Sequence, residues 1–368
     1  MRRIATTIMI VLAPLTAQAE STAVVNVDVI PMTSETVIRA QTVVIEDGAI
    51  TVIGPVTDVA VPEDAVVVDG TDRFLLPGLT EMHGHVTGTG SARIKRLFGL
   101  YLANGVTTVR GMLGRPSHLE LRDDIERGRI FGPRLITSGP SFNGNSVTGA
   151  EQAARKVREQ AAAGYDFLKI HPGLSAREFI AVADAANELG IPFAGHVPVS
   201  VGLSGALDKG IATIDHLDGY MAALLPSNTD KSGGYGGFFG VNLAAQVDEG
   251  RIAELVAATK QSGAANVPTQ VLFEQWVNRV PAEELANRAD MRFVDDRTLD
   301  QWQRTKNATL NERDFDPVVA EKAIRIRREL IAAMHEAGAT LLLGSDAPQV
   351  FNVPGFSLHR ELALMVNS

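Results

Sequence analysis

Six times along this chain a helix-forming stretch closes on a glycine and gives way at once to a short apolar, β-rich run. The junctions are Asn104-Gly105 before 106–109, Ala163-Gly164 before 165–170 and Leu189-Gly190 before 191–194. They continue with Lys209-Gly210 before 211–214, Ser262-Gly263 before 264–267 and Ala337-Gly338 before 339–343. Glycine just past a helix adopts the left-handed conformation that ends it. Capping boxes at Thr148-x-x-Glu151 and Ser175-x-x-Glu178 mark two helix starts. The apolar runs 74–76 and 134–138 bring the strands to eight, the first predicted to be buried and to lead to His83. Near-continuous apolar strands alternating with helices predict a parallel sheet covered by helices. Eight such units fit an α/β fold of the (β/α)8 TIM-barrel type better than an open doubly wound sheet. No Gly-x-Gly-x-x-Gly follows a strand, so a dinucleotide site is not indicated.

The barrel, expected over 74–368, is preceded by two shorter segments. Residues 1–19 read as a signal peptide: Arg2-Arg3, an apolar core over 4–16, and a small-x-small cleavage site at Ala17-Gln18-Ala19. The core is too short to span a bilayer comfortably. The mature chain is therefore expected to be exported, periplasmic or secreted, without a stable membrane anchor. Residues 20–73 alternate apolar and polar over 23–30, 42–46, 49–54 and 65–69, with a hairpin signal at Asp47-Gly48. They predict a small N-terminal β-module. Net charge is −9 and no long basic run occurs, which excludes nucleic acid as an expected partner. With no cysteine, any metal must be held by His, Asp, Glu or a modified Lys. Helix faces on the barrel exterior would allow a homo-oligomer. Two stretches, 217–241 and 273–318, are longer than plain connections and are expected over the C-terminal mouth of the barrel.

In such a barrel, polar residues at C-terminal strand ends read as catalytic. The ends carry His83 and His85, then Arg110, Lys169, His171, His196, His216 and Asp346. His83 and His85, at i and i+2, project from one face of their strand, a typical half-site for zinc. Taken singly, His196 and His216 also read as core histidines and Asp346 as a helix cap. Lys169 is harder to explain as structure, because an inward lysine on so apolar a strand is costly to bury. A deprotonated lysine there can take up carbon dioxide as a carbamate, an anion able to bridge two metals.

The ordered set of motifs resembles the amidohydrolase superfamily, in its imidazolonepropionase-like and prolidase-like branch. The matching pieces include Leu76-Pro77-Gly78-Leu79-Thr80-Glu81-Met82-His83-Gly84-His85, Asn104-Gly105-Val106-Thr107-Thr108-Val109-Arg110 and Gly132-Pro133-Arg134. Gly195-His196, Asp215-His216, Gly344-Ser345-Asp346 and Leu358-His359-Arg360-Glu361-Leu362 complete it. The resemblance covers roughly 24–368 and implies two divalent metals, expected to be zinc. His83, His85 and Asp346 would hold the more buried ion, His196 and His216 the other, and carboxylated Lys169 would bridge them. It implies hydrolysis of an amide C–N bond in a small-molecule substrate, a dipeptide or an N-acyl amino acid, with Asp346 as general base and then acid. Arg110, Asn143, His171, Tyr220 and Gln270 are candidate substrate-pocket residues. The same site could serve a lactonase or phosphoesterase. Two departures stand out. Glu81 occupies a position that is often Asp. The family also continues past the 358–366 helix with strands that complete a composite β-sandwich, so here the C-terminal part of that sandwich is expected to be missing. An inactive truncated homologue is thus the third reading.

Overall fold

The computed structural model describes residues 21–87, 90–227, 229 and 236–368. The expected signal peptide at 1–19 and residues 232–235 of the glycine-rich run 232–240 lie outside them. The chain divides into two compact units, Met1–Pro77 and Gly78–Ser368. Among the described residues no helix is long and apolar enough to cross a membrane.

The first unit is a single sheet of five strands: β1 (Ser21–Val29), β2 (Ile38–Glu46), β3 (Ala49–Pro55), β4 (Val66–Asp69) and β5 (Phe74–Leu75). The order is β3-β2-β1-β4, with β5 also on β1. The β2–β3 hairpin turns through Asp47 and Gly48, both at positive φ as a tight hairpin requires. Ala23, Val27, Val29, Val43 and Val44 are buried, whereas Ile50 and Val67 are 60% and 59% exposed. Among the described residues of the unit no second sheet covers those side chains, so the unit is one layer and a sandwich is not formed within it. The expectation for the 74–76 run is corrected. Phe74 is 54% exposed, and β5 pairs with β1. The strand that carries His83 starts after Pro77, whose ring removes a ladder donor.

The second unit holds β6 (Leu79–Gly84), β7 (Val106–Gly111), β8 (Arg134–Thr137), β9 (Leu168–Ile170), β10 (Phe193–Gly195), β11 (Thr213–Asp215) and β12 (Ala265–Val267). All their pairings are parallel, in ladders β6-β7-β8 and β9-β10-β11-β12. Isolated parallel bridges continue the pattern, Ser138 with Phe167, Asn266 with Leu341 and Gly84 with Ala347. Regular ladders therefore do not close one eight-strand barrel. The expected eighth strand, 339–347, is a connected but irregular segment. Its Gly344 has no room for a side chain, as a β-carbon would meet Val267 Cγ1 at 2.5 Å and His83 N at 2.8 Å. Its Asp346 turns out of extended geometry at φ 61°.

Helices lie between the strands. Four of them end on left-handed glycines, Gly164, Gly190, Gly263 and Gly338. Ser175 and Glu178 form the expected capping box. Thr148 and Glu151 do not: that helix starts at Ala150 behind Gly149, and Thr148 N donates to Gln152 Oε1 instead. The main core gathers Phe179, Phe193, Ile214, Phe273 and Leu330 with their neighbours. Burying one such side chain stabilises by about 1.5–3 kcal/mol. Within 273–318, Leu285, Met291 and Trp302 pack on Val350, Phe351 and Val353, which fastens the chain just after Asp346.

Candidate metal centre

His83 is the penultimate residue of β6, and its neighbour on the same face, His85, directly follows that strand. The irregular 339–347 segment delivers Asp346 to both, because Met82 N donates to Leu343 O and His85 N to Ala347 O. His85 Nε2 lies 2.6 Å from Asp346 Oδ1, and His83 Nε2 lies 3.6 Å from the same oxygen. His216 Nδ1 is 3.8 Å from Asp346 Oδ2. The imidazoles adjoin in a row, His83 to His216 at 4.5 Å between centroids and His216 to His196 at 4.8 Å. Lys169, fully buried on β9, places Nζ 2.8 Å from Asp215 Oδ2. The same Asp215 oxygen is 3.3 Å from His83 Nδ1. The six residues read as metal ligands in the sequence therefore occupy one buried neighbourhood.

Electrostatics prepare this neighbourhood for a cation. Burial pushes His83 down to about 4, and it holds His216 well below the ordinary histidine value. Both are neutral at physiological pH, the form that binds metal. Burial alone would raise Asp346, but His83, His85 and Lys169 outweigh it and leave the carboxyl below its usual value. Two buried atoms, His83 Nδ1 and Asp346 Oδ1, have no aligned hydrogen-bond partner. In a native interior such atoms are rare and call for an explanation. A divalent ion held by two imidazoles and a carboxylate supplies one for Asp346 Oδ1, while His83 Nδ1 faces Asp215 Oδ2, so the residues present fit a metal. Ligand atoms of His83, His85 and Asp346 lie within 4.8 Å of one another, as do those of His83, Asp215 and His216.

Further side chains fix the orientation of the putting-together imidazoles. Asp218 Oδ2 lies 3.0 Å from His196 Nδ1 and also accepts from Val197 N. Thr269 Oγ1 lies 2.7 Å from His216 Nδ1. Each contact leaves the other ring nitrogen, Nε2, as the ligand atom. Arg327, almost wholly buried, donates to His216 O, to Pro268 O at 2.9 Å and to Gln270 Oε1 at 2.8 Å. Glu361, from the final helix Phe356–Val366, accepts from Gln270 N and Val271 N and so caps helix Gln270–Val277. Glu81 joins the two strands of the site, accepting from His83 N at 3.0 Å and Ser345 N at 2.8 Å. Burial raises Glu81 to about 8.

The candidate pocket residues divide. His171 stands beside the cluster, its ring 5.3 Å from His196, and burial pushes it down to about 2. Arg110 spends its donors inside the sheet, on Met82 O, Thr213 Oγ1 and Asp215 Oδ1. Tyr220 is buried with its hydroxyl on Thr259 and Asn266. Gln270 bonds Arg327 and Glu274. Asn143 accepts from Asn145 N and Ser146 N within its own turn. Sequence reasoning missed Asp215, Asp218, Thr269, Arg327 and Glu361. Only Asp215 carried a signal: like Lys169, it is a charge in a short apolar strand.

A family model described as the amidohydrolase family matches residues 74–368. No curated protein matches the chain in sequence. Among solved structures, the chain is similar to a bottromycin amidohydrolase, at 23% identity and TM-score 0.68, over 94% of this chain and 73% of that one. It is also similar to an Xaa-Pro dipeptidase with bound methionine in the active site, at 18% identity and TM-score 0.63, over 95% and 84%. A third likeness is to the ochratoxinase of A. niger, at 17% identity and TM-score 0.61, over 95% and 80%. At these identities the likeness concerns the fold.

Proposed function

Because the chain belongs to the amidohydrolase family, we propose that it is a metal-dependent hydrolase, built on a (β/α)8 barrel, that cleaves an amide C–N bond in a small molecule. The observation that carries this reading is the meeting of ligand atoms of His83, His85 and Asp346 within 4.8 Å of one another, where the buried Asp346 Oδ1 lacks an aligned partner. These three would hold one divalent ion, and His196 and His216 a second, with Lys169 bridging as its carbamate. Zinc suits such imidazole and carboxylate donors. Bound there, it would act as a Lewis acid and lower the pKa of a water.

The chain's own residues account for the remaining steps. Asp346, ionised at neutral pH, accepts the proton of the attacking water at a carboxylate oxygen and returns it to the leaving amine. His83 and His216 stay neutral and orient Asp346. Arg110, with Nη2 3.3 Å from Asp215 Oδ1, keeps that carboxylate paired when the Lys169 amine is carboxylated. Two fold neighbours bear the names of amide-cleaving enzymes, which supports a peptide or N-acyl amino acid as substrate.

The test is turnover by zinc-supplied protein of Xaa-Pro dipeptides, N-acyl amino acids, lactones and phosphotriesters. Amide substrates should lead, and Asp346→Asn should lower their kcat by roughly 10²–10⁴-fold. Turnover of the lactones or phosphotriesters alone would overturn the choice of bond.

A further inference from the structure

A cavity of about 700 Å³ lies beside the imidazole row. Its walls come from the chain after β10, the short helices Gly202–Asp208 and Tyr220–Ala223, and helix Ile252–Ser262. Two wall residues also touch the candidate centre. Asp218 is the carboxylate on His196 Nδ1. Phe239 stacks on His216, with centroids 4.5 Å apart and planes 17° apart. The cavity thus begins one side chain away from two proposed ligands.

Part of the wall is suited to an apolar guest, while Ser204, Gln261 and Ser262 add neutral polar groups. Val197, Leu203, Leu207, Met221 and Leu255 line it and are otherwise buried. Its charged members are engaged or exposed. Arg251 donates to Ala223 O and Leu225 O and lies 3.6 Å from Glu254. Asp218 is taken up by His196 and by two backbone N–H groups. Asp208 and Glu254 are exposed. The volume falls within the roughly 300–1,000 Å³ of small-molecule sites, which are mostly apolar with a few polar groups.

Phe239 adds an independent observation. It is held at φ 47°, ψ 37°, between Gly237 and Gly240. A bulky residue adopts this left-handed state at a cost, and such strain tends to gather at functional sites. The conformation is what lays its ring between His216 and the cavity.

The geometry points to a binding compartment for the apolar part of the substrate, an aliphatic acyl chain of an N-acyl amino acid, with Phe239 as the side chain shared by the compartment and the imidazole row. This rests on the amide-hydrolase reading above. The test compares kcat/KM for N-acetyl-, N-hexanoyl- and N-decanoyl-L-alanine in the wild type, Ala222→Phe and Ala258→Trp. Both positions line the cavity, and neither belongs to the metal centre. Ala258 is an exposed helical residue, which favours folding of that variant. Wild-type kcat/KM should rise by about four-fold for each methylene that finds room. The variants should keep N-acetyl turnover and lose the rise. The same chain-length dependence in all three proteins would overturn the compartment. If no acyl alanine is cleaved, the choice of an N-acyl amino acid has failed while the amide-hydrolase reading still rests on the dipeptides, and calorimetric titration with decanoate decides the compartment separately. Binding by the wild type that both variants lose supports it; no binding, or equal binding by all three, overturns it.

Discussion

Arg327→Met removes the guanidinium that ties helix Pro317–Ala337 to the loops of the metal centre. The side chain is 1% exposed and lies over the Phe273 ring at 4.2 Å. Burial lowers its pKa to about 10, so it remains a cation at neutral pH. Methionine keeps most of the apolar stem but none of the donors. His216 O, Pro268 O and Gln270 Oε1 are then left without this partner. Each buried acceptor left unsatisfied costs about 1–3 kcal/mol. Relief of the buried charge offsets part of this sum, which leaves a net loss of roughly 3–5 kcal/mol. His216 adds to the effect, since at φ 63° it relies on its surroundings to stay in a left-handed state that costs roughly 1–2 kcal/mol. At about 1.6 °C per kcal/mol for a unit of this size, the melting temperature should fall by roughly 5–8 °C in calorimetry. Arg327→Lys, which keeps the charge and loses the fork, should fall between the two. A melting temperature for Arg327→Met within about 2 °C of wild type, with metal content unchanged, would refute the reasoning.

Two further outcomes follow from the groups around that arginine. Glu361 is raised by burial to about 7, from an ordinary value of 4.5. Between these two pH values the folded chain retains a proton that the unfolded chain releases, so Glu361 makes stability fall as pH rises through this window, by about 3 kcal/mol in all. Glu361→Gln should flatten that decline when urea midpoints at pH 5 and pH 7.5 are compared, and an unchanged slope would count against the assignment. Thr269→Val removes the hydroxyl on His216 Nδ1. Competition with a chelator should show metal affinity about 10–100-fold weaker, at nearly the wild-type melting temperature.

What the sequence disclosed follows from how its signals are written. Lys169 and the histidines are polar residues at the ends of short apolar strands, so their unlikeness to their neighbours is local and visible. Arg327 and Glu361 sit in charged helices, where they resemble solvated surface residues, and their partners His216 and Gln270 are 111 and 91 positions away. Asp218 and Thr269 belong to loops, and nothing local says that their oxygens meet imidazoles. The eighth strand was legible as an apolar run, but its irregularity was not. That depends on Gly344 having to clear His83 N and Val267, a contact between distant segments. Phe74 misled because its apolarity suits a buried strand, while the second unit begins only at Gly78, after Pro77.

The account stands or falls on metal in the cluster of His83, His85, Lys169, His196, His216 and Asp346. The direct measurement is elemental mass spectrometry of dialysed protein prepared with zinc and bicarbonate, wild type against Lys169→Ala. The account predicts about two ions per chain, as in other two-metal hydrolytic sites, and fewer in the variant. Folded wild-type protein with no metal above background would contradict it.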